Sequence, residues 1–311
     1  MRAVVVREVG GPEALEIVDV PVPAAGAGQV RLRVEAAAVN PVDALTRSGD
    51  LGAAGLLPPR DVIGIGWDVA GRVDEVGPGV TEFAPGDQVI GVRDRLDLSL
   101  GTYADFVVLD VGAVATAPAR LSAVEAATLP LNGLTALQAL DRAALEPGAT
   151  LLVTGAAGAV GGFAVQLAAL RGLRVVAYAG AADEEFARAA GAEWFVPRSR
   201  DLAENVRALV PGGVDAVLDA AALGIAALGA VRNHGSFVSV VGAAPAPLRG
   251  ITVAEQWVAA DGAALAHLAA LAGADRLTAR VADTLPLDEA VRAHRRLEDR
   301  DGRRGGLVLV P

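Results

Sequence analysis

The segment LLVTGAAGAVGG, residues 151–162, restricts the fold more than any other part of the chain. A short apolar run with the length of a β-strand leads into it, and a longer run with helical spacing follows. Gly155, Gly158 and Gly161 recur at every third position between the two runs. Such glycines permit a tight turn, close approach of the backbone to a pyrophosphate and close strand–helix packing. The segment therefore predicts a dinucleotide-binding loop, with plain tight packing as the alternative. The other predicted contact residues of this loop are Ala156, Ala159 and Val160.

Strands and helices alternate after this loop. The apolar runs LRVVAYA, AEWFV, VDAVLDAA and GSFVSVVGA are typical of strands, and helix-like segments such as DEEFARAAG separate them. This alternation predicts an α/β fold with a doubly wound parallel sheet and covering helices. The uncharged run at residues 147–170 is long enough to span a membrane, but glycines interrupt it. A strand, a turn and a helix therefore explain it better than a membrane span does.

The first third of the chain has the pattern of an antiparallel β-domain. Val30, Leu32 and Val34 are separated by charged residues, which is the period of a half-buried strand. Glycine- and proline-rich turns such as VGPGV and FAPGDQV punctuate further short strands, and together they predict a barrel-like domain. The stretch SAVEAATLPLNGLTALQALDRA then has helical spacing, and Ser122 with Glu125 forms a capping box at its start.

Composition excludes several classes of function. The net charge is −10, which disfavours binding to nucleic acid and to anionic membranes. The chain has no cysteine, so disulfides, thiolate catalysis and sulfur-ligated zinc are excluded, and a reducing cytoplasm is expected. The start MRAVVVREVG has too short an apolar run for a signal peptide. All 27 Lys and Arg residues are arginine, so arginine is the side chain expected to bind a phosphate.

The end of the second strand of the alternating series bears on the choice of cofactor. NAD sites usually have a carboxylate there, but this strand ends in small residues around Gly180, with no carboxylate before Asp183. The space suits a 2′-phosphate, and Arg198, which follows the third strand, is the predicted cation. Acidic residues from Asp183 onward would oppose a phosphate if they lay near it, or would instead stabilise the start of a helix. The balance favours NADPH over NADH. Two further cofactor contacts are predicted at the end of the GSFVSVVGA strand, Val241 and Gly242.

Several long motifs in the same order resemble the medium-chain dehydrogenase/reductase superfamily. They include AAAVNPVDALTRSG, GWDVAGRVDEVGPGVTEFAPGDQVIG, GTYADFVV, VTGAAGAVGG and the terminal GGLVLV. The match covers almost the whole chain. Within the superfamily, the chain resembles the zinc-free quinone oxidoreductase and enoyl reductase branch. It implies a GroES-like catalytic domain at residues 1–121 and 262–311. It also implies a Rossmann domain at residues 122–261.

The resemblance implies that no metal is bound. Zinc alcohol dehydrogenases of this superfamily have a metal-binding cysteine where Asn40 stands and a metal-binding histidine where Trp67 stands. Their third zinc ligand falls near Leu131. These three residue types cannot together hold zinc. Trp67 is instead expected to form an apolar wall beside the nicotinamide, while Asp68 and Asp43 are expected to have structural roles.

The resemblance also implies the roles of individual site residues. Asn40 and Thr135 are expected near the nicotinamide and its ribose, as the catalytic positions. Leu51, Trp67 and Asn132 are expected to contact substrate, with residues 96–100 as a further part of the pocket. Asn132 either donates a hydrogen bond to a substrate carbonyl or caps a turn. Without a Lewis acid, the expected reaction is hydride transfer from NADPH to a quinone or an α,β-unsaturated carbonyl.

Two alternatives to this reaction stay open. One is an enoyl-type tailoring reductase of a biosynthetic pathway, although the tyrosine that often donates the proton in such enzymes is absent and Leu51 lies near its place. The other is a protein that binds NADPH without turnover. A homodimer is expected from relatives of this branch, with residues 251–258 as the candidate edge strand.

Overall fold

The computed structural model describes residues 1–240, 242, 244–299 and 304–311. The strands are β1 (Arg2–Val6), β2 (Leu15–Asp19), β3 (Gln29–Val39), β4 (Ile63–Gly64), β5 (Asp68–Val76), β6 (Gln88–Val92), β7 (Phe106–Asp110), β8 (Val114–Thr116), β9 (Thr150–Thr154), β10 (Arg174–Ala179), β11 (Trp194–Pro197), β12 (Val214–Asp219), β13 (Val231–Ser239), β14 (Thr252–Glu255), β15 (Val281–Pro286) and β16 (Gly306–Val310). The α-helices are α1 (Pro41–Ser48), α2 (Asp50–Ala53), α3 (Ala123–Ala126), α4 (Pro130–Ala143), α5 (Ala159–Leu170), α6 (Glu184–Ala189), α7 (Leu202–Leu209), α8 (Ile225–Leu228), α9 (Gly262–Gly273) and α10 (Ala290–Glu298).

The chain forms two compact units, and the first contains residues 1–131 and 260–311. Its larger sheet has the order β15-β16-β3-β5-β6-β8, with β7 also paired to β3, and its smaller sheet has the order β2-β1-β4. The long strand β3 follows the predicted alternation, since Val30, Leu32 and Val34 are buried while Arg33 is exposed. The mainly antiparallel pairing agrees with the barrel-like domain predicted from the sequence.

The second unit contains residues 132–259 and has a six-stranded parallel sheet in the order β11-β10-β9-β12-β13-β14. Leu152 in the central strand β9 pairs with Val176 of β10 on one side and Val217 of β12 on the other, and all three are fully buried. The chain adds β10 and β11 on one side of β9 and the later strands on the other. This order places a topological switch point between the carboxyl ends of β9 and β12, where α/β sheets bind ligands. The predicted fold class is confirmed.

The helical stretch after Leu121 differs from its prediction as one continuous segment. It is divided into α3 and α4, and Pro130 begins α4. Proline suits the first position of a helix but disfavours helical geometry in the residue before it, so the helix is interrupted there. The predicted capping box is present, because the Ser122 hydroxyl accepts from the Glu125 N–H and the Glu125 carboxylate accepts from the Ser122 N–H.

The boundaries of the units differ from the predicted domain limits. The first unit extends to Leu131 instead of ending at residue 121, and it resumes at Ala260 instead of residue 262. The physical reason is the position of α3, which contacts strands β3 and β5 of the first unit.

Candidate functional site

The glycine loop of the second unit lies between β9 and α5, as predicted. Gly155 has a φ of +59°, a conformation that other residues rarely adopt. A Cβ atom on Gly161 would lie 2.1 Å from the Gly155 carbonyl oxygen, so only glycine fits there. Gly158 is the N-cap of α5 in extended conformation. Ala159 begins α5. The first turn of an α-helix has backbone N–H groups without intrahelical partners, and such groups can bind a pyrophosphate. The cofactor contacts of Ala159 and its neighbours stay predictions.

A buried carboxylate that the sequence analysis missed fixes the surroundings of this loop. Asp219 ends β12, and its Oδ1 accepts a hydrogen bond of 2.5 Å from the hydroxyl of Thr154, at the end of β9. Its Oδ2 accepts from the backbone N–H of Gly224 at 2.8 Å. These bonds hold the ends of the two central strands together at the switch point. The available sequence signal was an aspartate that closes the apolar run VDAVLD.

Two opposite charges flank Gly180, which follows β10. A Cβ atom on Gly180 would lie 2.9 Å from Asp183 Oδ2 and 3.9 Å from Arg198 Nε. The backbone N–H of Arg198 donates to the Ala179 carbonyl at 2.7 Å, which anchors the residue, while its guanidinium is exposed. The carboxylate that would oppose a phosphate therefore lies close to the same glycine as the predicted phosphate-binding cation. Asp183 is the N-cap of α6, but its side chain does not accept a capping hydrogen bond from that helix.

The remaining predicted cofactor residues lie at the end of β13. Gly242 is exposed and has a φ of +74°. Val241 lies outside the described residues. Their cofactor contacts stay predictions.

In the first unit, Asp68 connects Asn40 and Leu131, two of the three positions at which the resemblance to zinc alcohol dehydrogenases implies a metal ligand. Asp68 begins β5 and is fully buried. Its Oδ2 accepts a hydrogen bond of 2.7 Å from the Nδ2 of Asn40, and its Oδ1 accepts one of 2.5 Å from the backbone N–H of Leu131. The side chain of Asn40 is thereby oriented by a carboxylate. These two bonds fit the structural role expected of Asp68.

Asp43 is a second buried carboxylate that binds Asn40, through the backbone of that residue. Its Oδ2 accepts hydrogen bonds from the Asn40 backbone N–H at 2.7 Å and from the Tyr103 hydroxyl at 3.0 Å. Burial raises the pKa of Asp43 to about 7, although these two donors lower it. Burial also raises the pKa of Asp68 well above its ordinary value, and the nearby charge of Asp43 adds to this effect. The hydroxyl of Tyr103 therefore belongs to this buried polar cluster.

Trp67 and Leu51 are both buried in the first unit. The indole Nε1 of Trp67 donates to the Thr46 hydroxyl at 3.5 Å, so its one polar atom faces a helix side chain and the rest is apolar surface. The carbonyl of Trp67 accepts from the backbone N–H of Arg93 at 2.7 Å. Their contact with a substrate stays a prediction.

Asn132 and Thr135 are buried residues of α4. Asn132 lies in the first turn of that helix, and Thr135 follows one turn later. They belong to the second unit, whereas Asn40 belongs to the first, and the joint role of Asn40 and Thr135 at the nicotinamide stays a prediction.

The histidines do not gather around a metal. His294 is fully buried, and its Nδ1 lies 3.1 Å from a guanidinium nitrogen of Arg47. Burial lowers the pKa of His294 to about 3, with the charge of Arg47 as a second cause. Within the described ranges, no three of the His, Cys, Asp and Glu residues come together as a possible metal site.

Comparisons with known proteins agree with this geometry. The profile of the alcohol dehydrogenase GroES-like domain matches residues 26–119, and that of the zinc-binding dehydrogenase family matches residues 159–260. An NAD-dependent alcohol dehydrogenase of Sulfurisphaera tokodaii is 33% identical over 70% of this chain and 71% of its own length. The chain belongs to the medium-chain dehydrogenase/reductase superfamily. The resemblance stated from the sequence is confirmed.

Within this superfamily, the chain falls in the quinone oxidoreductase branch. The chloroplast envelope quinone oxidoreductase homolog of Arabidopsis thaliana is 41% identical over 59% of this chain, and the alignment spans 56% of that relative's length. A solved structure of a mycobacterial protein complexed with NADPH is 29% identical, covers 100% of both chains and has a TM-score of 0.85. The names of the relatives support the predicted oxidoreductase class. As for the membrane, no helix among the described residues is long and apolar enough to cross one.

Proposed function

We propose that this member of the superfamily is a zinc-independent, NADPH-dependent reductase that delivers hydride to a quinone or an α,β-unsaturated carbonyl compound. The observation that carries the proposal is the hydrogen bonding of Asp68 to Asn40 and to the Leu131 backbone. Asn40 and Leu131 stand at two of the positions where the resemblance implies the zinc ligands of the alcohol dehydrogenases.

The chemistry of these positions argues against alcohol oxidation. The Asn40 amide nitrogen donates to a carboxylate, and the Trp67 indole nitrogen is a donor that carries no lone pair for a metal. The side chain of Leu131 has no ligand atom. An alcohol needs a group that lowers the pKa of its hydroxyl, whereas an electron-poor quinone or enone accepts hydride without one. The proton that completes the reduction comes from water or a weak acid.

The residues of the second unit fit a dinucleotide. Gly161 packs closely on Gly155, and α5 begins directly after Gly158, which is the backbone arrangement that suits a pyrophosphate at a helix N-terminus. When bound, the reduced nicotinamide supplies the hydride. Arg198 lies next to Gly180 and is placed to bind a 2′-phosphate, which supports NADPH, and the mycobacterial neighbour is a complex with NADPH. Asp183 opposes this preference, so the selectivity we propose is moderate.

The test is steady-state oxidation of NADPH and NADH by the purified protein with a benzoquinone, a naphthoquinone, a simple enone and a 2-enal. We expect turnover with NADPH and at least one acceptor, and a kcat/KM that is higher for NADPH than for NADH. A thioester-linked 2-enoyl compound is tested as a fifth acceptor, and turnover with it alone would favour the enoyl-type tailoring reductase. Tight binding of NADPH without turnover of any acceptor would contradict the reductase proposal and favour a non-catalytic binding protein.

We further propose that the protein is a cytoplasmic homodimer that acts on a small molecule and binds neither nucleic acid nor membrane. Strand β14 supports the dimer, because it pairs with β13 on one side and ends the described sheet on the other. The exposed side chains of Trp257 and Leu248 near this strand in sequence add apolar surface. Light scattering tests the assembly, with twice the chain mass expected and a monomer as the contradicting result.

A further inference from the structure

Two arginines of the first unit donate to one carbonyl oxygen. The Arg60 guanidinium donates to the Leu98 carbonyl at 2.6 Å, and the Arg93 guanidinium donates to the same oxygen at 2.6 Å. Arg93 is buried, with 3% of its surface exposed, and Arg60 is partly buried. The fold therefore holds two positive charges close together at the segment after β6.

Neither guanidinium forms an ion pair with any residue in the described ranges. The Nε of Arg93 is buried and has no hydrogen-bond partner there. Burial lowers the pKa of Arg93 to about 10, and the charge of Arg60 is the second cause, so Arg93 stays positive at neutral pH. Buried charges in proteins are normally paired, so a buried guanidinium without an ion-pair partner among the described residues is a candidate for binding an anionic group.

The nearest carboxylates are engaged elsewhere. Asp43, Asp97 and Asp94 act on Arg93 through their charges. Asp97 is bound by Arg95, and Asp94 accepts from the Ala260 backbone N–H at 2.7 Å. Asp43 accepts from Asn40 and Tyr103, as described above. The two arginines therefore offer donors that the chain's own acids do not fill.

The location of this pair connects it with the predicted substrate wall. The backbone N–H of Arg93 donates to the carbonyl of Trp67, and Leu98 lies within residues 96–100, a predicted part of the pocket. The segment is held in place, because the Gly64 N–H donates to the Ser99 carbonyl at 2.8 Å. A Cβ atom on Gly64 would lie 2.5 Å from the Leu100 Cα, which shows how closely the segment packs on β4. The segment that contains the Leu98 carbonyl, to which both guanidinium groups donate, is therefore held closely against β4.

We propose that Arg60 and Arg93 bind an oxyanion of the substrate, such as a carboxylate, sulfonate or phosphate group on the electron-poor acceptor. The inference rests on the proposed reductase function, because it names the chemical class of the acceptor. A guanidinium presents several N–H donors in one plane and forms strong, charge-assisted bonds with such groups.

The experiment compares 1,4-naphthoquinone with its 2-sulfonate in steady-state oxidation of NADPH. We expect Arg60→Gln to raise KM for the sulfonate about tenfold or more and to change KM for the neutral quinone less than about twofold. Arg93→Gln should act in the same direction, provided that its thermal unfolding matches the wild type. Arg95→Gln is the matched control, since it removes a charge from the same segment but one already bound to Asp97 and Asp110. This control should leave the ratio of the two KM values unchanged.

Equal changes in both KM values for Arg60→Gln would overturn the proposal and assign the arginines to anchoring the Leu98 carbonyl. A calorimetric titration with naphthalene-2-sulfonate and with 2-naphthol keeps the two proposals distinguishable. Preferred binding of the sulfonate by the wild type, lost in Arg60→Gln, supports the oxyanion site even if no quinone is reduced. No preference for the sulfonate in that titration overturns the site even if neutral quinones are reduced.

Discussion

The glycine loop of the second unit and the Asn40–Asp68 cluster of the first unit are built in different ways. In the loop, Gly155 and Gly161 act through backbone shape, since one needs a positive φ and the other a missing Cβ. In the cluster, Asn40, Asp68 and Leu131 act through hydrogen bonds between positions far apart in the chain. Backbone shape leaves a local sequence signal, whereas a buried hydrogen-bond cluster becomes visible only after folding.

The largest expected effect comes from filling the space at Gly161. Gly161→Ala places a Cβ 2.1 Å from the Gly155 carbonyl, so the loop has to move away from its pyrophosphate-binding shape. We expect the Kd for NADPH, measured by fluorescence titration, to rise by about a hundredfold or more. Gly162→Ala is the matched control, because its Cβ would lie 3.4 Å from the Phe186 ring and 3.8 Å from the Ala156 carbonyl oxygen, which are ordinary van der Waals distances. Equal affinity for NADPH in both variants would show that cofactor binding does not depend on the missing Cβ at Gly161.

The next effect concerns the pH dependence of stability in the cluster. Because burial raises the pKa of Asp43 to about 7, the folded protein binds a proton there at pH values where the unfolded chain does not. This group therefore stabilises the fold at low pH, and its contribution falls as pH rises from about 4 to about 7. Between pH 5 and pH 7 the loss should be about 2 kcal/mol in the free energy of unfolding.

Asp43→Asn isolates this contribution, because an amide oxygen still accepts from Asn40 and Tyr103 but does not ionise. Urea unfolding of wild type and variant at pH 5 and pH 7 measures it, and the wild type should lose more stability than the variant over that interval. An identical pH dependence in the two proteins would show that Asp43 does not titrate as its burial implies.

The sharpest contrast between the two regions is expected from Asp68. Asp68→Ala removes the acceptor shared by Asn40 and the Leu131 backbone, so the Asn40 amide loses its orientation. We expect kcat to fall about tenfold while the Kd for NADPH changes little, the opposite of the Gly161 pattern. Asp50→Ala, at an exposed position nearby in the chain, serves as the control. If the Kd for NADPH rose by the same factor as kcat fell, Asp68 would affect cofactor binding as strongly as turnover. The loop and the cluster would then not act separately.

The smallest expected effect concerns cofactor choice. Arg198→Ala should raise the Kd for NADPH about fivefold and leave that for NADH within about twofold, because only NADPH carries the 2′-phosphate. Asp183→Asn should have the opposite sign and lower the Kd for NADPH, since it removes a negative charge beside Gly180. Parallel titrations with both cofactors measure the ratio. No loss of NADPH affinity in Arg198→Ala would remove the phosphate-binding role from this residue.

The sequence predicted those parts of the molecule that follow from local pattern. The alternation at Val30, Leu32 and Val34 corresponds to strand β3. The glycine pattern at Gly155 corresponds to the turn between β9 and α5. The interruption at Pro130 was missed because helical spacing on both sides outweighed a single residue.

Contacts between distant positions could not be predicted in the same way. The pairing of Thr154 with Asp219, the two donors to Asp68 and the meeting of Arg60 with Arg93 depend on which strands and loops become neighbours. In the sequence these residues look like ordinary surface charges or strand ends. Only the fold shows which of them are buried and which groups they bond.

The measurement that tests the central claim most directly is NADPH-dependent naphthoquinone reduction by chelator-treated protein whose zinc content is determined on the same sample. We expect full turnover at a zinc content far below one ion per chain, and no increase in the turnover rate when zinc is added. Turnover that rises in proportion to bound zinc would contradict zinc-independent reduction, because Asn40, Trp67 and Leu131 would then not exclude zinc catalysis.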